Sequence, residues 1–133
     1  MNSPDHRVLW DGPVAVVTLP AEIDVTCADE IREQLLSVVN QGPTVLVADM
    51  SETRFCDSAG VTALVRTFRR ATENGTKFRL AASSPAVLRV LEITGVDRLI
   101  DTFGTLREAL GSAQLSASCR RTGAAGRVRR SRS

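Results

Sequence analysis

The residues of this chain best placed to do chemistry stand together in Asp57-Ser58-Ala59-Gly60. They follow a strand-like apolar run, Val45-Leu46-Val47-Ala48-Asp49-Met50-Ser51. Beyond them, apolar residues return at helical spacing as Val61, Leu64, Val65 and Phe68. A change of period from two to about 3.6 marks a strand-to-helix joint. Ser58 therefore sits at or next to a helix N-terminus, where unpaired backbone N–H groups and the helix dipole favour an anion. A hydroxyl there can cap the helix, attack as a nucleophile, or accept a phosphate. Asp57 can serve as the cap equally well, which would leave the Ser58 hydroxyl exposed.

The nucleophile reading is the weakest of the three. Serine needs an adjacent base and an oxyanion hole. The single His is His6, near the chain start, and the loop lacks the Gly-x-Ser-x-Gly elbow. An enzyme is not expected. Asp24, Val25 and Thr26 precede the first helical pattern, and Asp24 or Thr26 is expected to cap it. The three Cys, at 27, 56 and 119, have no metal-ligand spacing, so neither a metal site nor a cofactor site is expected. An odd count without a signal peptide points to reduced thiols. Cys56 and Cys27 are expected as small buried hydrophobes. Should the two loops meet, they become candidate redox residues.

Elements that would position these residues follow from period and punctuation. Arg7–Trp10 and Val14–Leu19 read as two strands around the turn Asp11-Gly12-Pro13, the second covered on both faces or lying centrally. Ile31, Leu35, Val38 and Val39 mark a first helix ended by Gln41-Gly42-Pro43. The strand 44–50 comes next, then a helix from Ser58 to about Thr72 stopped by Asn74-Gly75, and a strand from Phe78 to Ala82. Ser83-Ser84-Pro85 opens a helix carrying Val87, Leu88 and Leu91 and ending near Gly95. Val96–Ile100 reads as a connector, Thr102-Phe103 as an edge strand, and Leu106, Ala109 and Leu110 as a last helix. The pattern predicts an α/β domain with a mixed sheet of four to five strands and about four helices.

At 133 residues, 43% hydrophobic and 4% aromatic, the chain suits one domain with an aliphatic core. No apolar stretch is long enough to span a bilayer, so a cytoplasmic protein without membrane contact is expected. Net charge is +2, but residues 112–133 hold six Arg and no acid, leaving residues 1–111 with 11 basic and 15 acidic residues, or −4. The domain is thus 1–111, and the basic segment 112–133 is expected to be disordered. Lacking aromatics, the segment predicts no specific nucleic-acid recognition.

In four places the chain resembles the STAS family, in particular bacterial anti-sigma factor antagonists (anti-anti-sigma factors). Ala21-Glu22-Ile23-Asp24 is similar to the family's Gly-Glu-Leu/Ile-Asp, with Ala21 in place of Gly. Val47-Ala48-Asp49-Met50-Ser51 with Phe55 looks like its apolar strand, Asp-Leu-Ser and following Phe/Tyr. Asp57-Ser58-Ala59-Gly60-Val61 resembles Asp-Ser-Ser/Thr-Gly-Leu, with Ala59 leaving a single hydroxyl in the loop. Ser84-Pro85 with Leu91, Thr94-Gly95-Val96 and Leu99-Ile100 is similar to its third-helix signature. The four fall in register over residues 7–110, which no single motif could specify.

The resemblance implies a STAS-type domain that binds a serine-kinase-type anti-sigma factor when unphosphorylated, freeing a sigma factor to direct transcription. It implies phosphorylation at Ser58 by that kinase, with a phosphatase to reverse it and the ATP held by the partner. Asp24, Val25, Thr26, Cys56, Asp57, Ser58, Ala59, Gly60, Val61 and Thr62 would line the partner-binding surface. A different outcome on the same fold is a structural subunit of a stress-signalling or lipid-transport assembly, with Ser58 merely a cap.

Overall fold

The computed structural model describes residues 7–111; the expectations for His6, Cys119 and the basic segment 112–133 lie outside them. Strand β1 (Arg7–Asp11) turns back into β2 (Val14–Thr18) through Gly12, whose φ of 61° an L side chain rarely adopts. Then follow β3 (Glu22–Ile23), α1 (Ala28–Asn40), β4 (Val45–Met50), β5 (Phe55–Cys56) and α2 (Ser58–Glu73). The chain continues through β6 (Lys77–Ala82), α3 (Pro85–Thr94), α4 (Val96–Leu99) and β7 (Asp101–Phe103), and residues 106–111 are helical.

The main sheet has the order β1-β2-β4-β6-β7. The β1–β2 hairpin is antiparallel and every other neighbour in this sheet is parallel, so the sheet is mixed, as the sequence predicts. Val45–Met50 is buried along its whole length, which is what a central parallel strand covered on both faces requires. Alternate residues divide between two cores. Leu46, Ala48 and Met50 join Ala15, Val17, Leu80, Leu35, Leu64 and Leu91 under α1, α2 and α3. Val45 and Val47 join Val14, Val16, Ala81 and Ala109 on the opposite face, beneath the helical segment 106–111. Arg79 is buried on that face as well: its Nη1 donates to the Ala109 carbonyl at 3.4 Å, and its guanidinium lies 5.9 Å from the Phe103 ring centre.

Two elements differ from expectation. Val96–Leu99, read as a connector, is a short helix whose buried Val96 packs into the main core. A second, two-stranded parallel ladder joins β3 and β5, pairing Glu22 with Phe55 and Ile23 with Cys56. Two-residue strands carry too little periodicity to read from sequence. This small ladder is what assembles the site.

Candidate functional site

Below the β3–β5 ladder, buried Thr53 donates its hydroxyl to the Pro20 carbonyl at 2.8 Å. The Arg54 and Phe55 amides both donate to the Ala21 carbonyl, at 2.7 and 3.3 Å. Ala21 does this without a positive φ, so Gly is not required there. The Asp57 amide donates to the Ile23 carbonyl at 3.0 Å, so the chain leaves β3 and β5 at one corner.

At that corner Asp57 takes the cap. Its backbone is extended, and its carboxylate accepts from the amides of Ala59 (2.9 Å) and Gly60 (3.1 Å). This satisfies two of the unpaired donors at the start of α2. Ser58 is therefore the first helical residue, and it is exposed. Among the described residues its hydroxyl has no hydrogen-bond partner. The two neighbouring hydroxyls are engaged: Thr62 donates to the Ser58 carbonyl at 3.0 Å, and Thr26 donates to the Asp24 carboxylate at 2.5 Å.

Asp24 does not cap α1, and neither does Thr26; the cap position is held by Cys27 with no side-chain bond. Instead the Asp24 carboxylate accepts from both the hydroxyl and the amide of Thr26, closing a local turn. Chiefly the Thr26 hydroxyl, then its amide, hold the Asp24 carboxyl below the ordinary aspartate value. The preceding turn is stabilised by the Asp24 carbonyl, which accepts from the Cys27 and Ala28 amides. This turn and the start of α2 share a depression of about 210 Å3, lined from one side by Val25, Ala28, Asp29 and Arg32 and from the other by Ala59, Thr62, Ala63 and Arg66.

Two residues expected on the contact surface lie beneath it. Gly60 is buried, and a Cβ there would stand 2.7 Å from both the Cys56 Sγ and the Ile23 Cγ2. It lets α2 sit against the ladder and offers no side chain to a partner. Cys56 is 3% exposed, and burial, then the neighbouring Asp57 charge, pushes its thiol up to about 11. Such a thiol is almost wholly protonated at neutral pH, so its chemistry is that of a packing residue. Half-buried Cys27 points its Sγ at the Glu22 carbonyl, 3.5 Å away. Sequence reasoning placed Phe55 in a motif but missed it as a surface residue: it is 49% exposed, and Val25 across the corner is 73% exposed. Alternation in a two-residue strand gave no warning of it. Among the described residues no group of three or more His, Cys, Asp or Glu could hold a metal, and no helix is long and apolar enough to cross a membrane.

Comparison with known proteins fits this geometry. Residues 8–109 match the STAS domain. The anti-sigma-F factor antagonist RsfB of Mycobacterium tuberculosis is 33% identical over 113 residues, covering 83% of this chain and 92% of that protein. The anti-sigma-B factor antagonist of Bacillus subtilis is 31% identical over 85 residues, covering 64% and 77%. The crystal structure of an anti-sigma factor antagonist from Mycobacterium paratuberculosis superposes with a TM-score of 0.76 at 29% identity, covering 86% of this chain and 99% of that one. The chain belongs to the STAS domain family, and these relatives within it are named as anti-sigma factor antagonists.

Proposed function

We propose that this protein is an anti-sigma factor antagonist switched at Ser58. Unmodified, it binds a serine-kinase-type anti-sigma factor and so frees a sigma factor; phosphorylated by that kinase, it lets go. The protein itself is a binding partner, not an enzyme, and ATP belongs to the kinase. A phosphatase resets the switch.

The observation that carries this reading is the disengaged, exposed Ser58 hydroxyl above a cap that Asp57 already supplies. A capping serine has its oxygen committed to backbone amides, whereas this one is free to take a phosphoryl group. Here phosphorylation leaves the cap intact. A phosphate adds nearly two negative charges and three acceptor oxygens. The start of α2 carries no acid within its first turn and its dipole favours the anion, while the Asp57 and Asp24 carboxylates oppose it. The fold is retained and the docking surface gains negative charge. Val25 and Phe55 supply apolar contact area on either side, and Asp24, Thr26, Ala59, Val61 and Thr62 complete the surface.

The test is the affinity of a purified kinase-type anti-sigma factor for wild type, Ser58→Ala and Ser58→Asp. Ser58→Ala should bind like wild type, and Ser58→Asp at least about tenfold more weakly, ~1.4 kcal/mol. Equal binding by all three would defeat the switch and leave Ser58 as a solvated helix residue.

A further inference from the structure

An open groove of about 670 Å3 runs between α1 and α2, away from the Ser58 corner. Arg66, Arg69 and Arg70 line it from α2, Arg32 lines it from α1, and Glu73 is the one acid among its walls. Residues 1–111 as a whole carry net −4, so this face is opposite in sign to the domain that bears it. Arg32 is paired with Asp29 at 3.2 Å; among the described residues no ion pair holds Arg66, Arg69 or Arg70. Their spacing places like charges on one helix face, an arrangement that works against the isolated helix. Half-buried Leu36 and Val65 form an apolar floor.

We infer that this groove is a second docking surface, for an acidic amphipathic segment of the protein that lands on Ser58. Guanidinium groups stay charged and present forked donors that match carboxylates. The apolar floor asks the same segment for aliphatic side chains. The chain's own residues 112–133, with six Arg and no acid, have the wrong sign to fill it. Arg32, Thr62 and Arg66 line both this groove and the depression beside Val25 and Ala59, so one partner can cover corner and groove continuously. The inference rests on the Ser58 reading for where the partner sits, and its test is independent of Ser58.

The probe is a fluorescein-labelled peptide with Leu at helical spacing and Glu on the other face, titrated by anisotropy into the full chain. Saturable binding is expected, at least about tenfold weaker for the Glu→Gln peptide and for Arg66→Glu/Arg69→Glu, and weaker at high salt. Ser58→Ala should bind the peptide like wild type, so this result and the kinase result can fail separately. Both arginines are exposed, and a melting curve confirms the variant's fold; Arg66→Gln/Arg69→Gln gives a milder second variant. The inference is overturned by absent binding, by binding indifferent to both variants, by an equally good Glu→Gln peptide, or by equal competition from a single-stranded oligonucleotide. The last result would identify a general polyanion surface.

Discussion

Asp57 and Ser58 are adjacent at the start of α2, and Asp57 alone supplies the side-chain cap. Asp57 holds the helix start, and the Ser58 side chain is left exposed beside it. Asp57→Ala should therefore destabilise the fold by about 1 kcal/mol in urea unfolding, whereas Ser58→Ala should stay within about 0.5 kcal/mol of wild type. Asp24 separates charge from structure in the same way. Asp24→Asn keeps the Oδ1 acceptor used by Thr26, so the melting temperature should hold while partner affinity falls; a parallel fall in both would reduce Asp24 to a turn residue. Since the Asp24 carboxyl titrates below its ordinary value of 3.8, its charge, and any contact made by it, survives acidification to that point and is lost only below it. Cys56 has the opposite sign. Its pKa is raised from 9.0 to about 11, so the unfolded chain loses the proton first. The stability tied to the buried thiol is complete below pH 9.0 and declines as pH rises toward 11. Thermal melts across that range should show the decline, and Cys56→Ala should flatten it.

Among the elements, the β3–β5 ladder and the first turn of α2 act as one unit. Gly60 is where they touch. In an exposed helix, Gly→Ala adds up to about 1 kcal/mol of stability. Here the added methyl would strike Cys56 and Ile23, so Gly60→Ala should destabilise by about 1–3 kcal/mol, and Ile23→Ala, costly alone because Ile23 is buried, should cost less in the Gly60→Ala background, where it removes one of the two clashing groups. Differential scanning calorimetry of the single and double variants reads the sign directly. The long elements were legible in sequence because α1, β4, α2 and β6 each repeat an apolar period over several residues. The ladder was not: β3 and β5 exist by pairing with each other across more than 30 positions, a tertiary fact. Likewise Val96–Leu99 looked like a connector because four residues are barely one helical turn. The strand-to-helix joint told where Ser58 lies along the chain. Whether Asp57 or Ser58 caps depended on a backbone geometry that both residue types permit.

Across the whole molecule, the sheet has one face covered by three long helices and the other closed by the helical segment 106–111. Arg79 ties that segment down. Its Nε is buried without a partner among the described residues, and desolvation lowers its pKa while Asp101 opposes the shift. Arg79→Ala removes the bond to Ala109 and the packing against Phe103, so it should destabilise by about 1–3 kcal/mol and raise hydrogen exchange in residues 106–111. The charge layout shows the limit of reading composition alone. Counting gave a net negative domain; only packing α1 against α2 sets Arg32 beside Arg66 and makes a basic groove within it. The spacing of Arg66, Arg69 and Arg70 was visible in the sequence, but the facing arginine lies 34 residues earlier.

The most direct test of the Ser58 switch is site-resolved mass spectrometry after incubation with a kinase-type anti-sigma factor and ATP. The account predicts one added phosphate, on Ser58, and none on the engaged hydroxyls of Thr26 and Thr62. A phosphate on either threonine instead, or an unmodified chain alongside a kinase shown to bind it, would contradict the account.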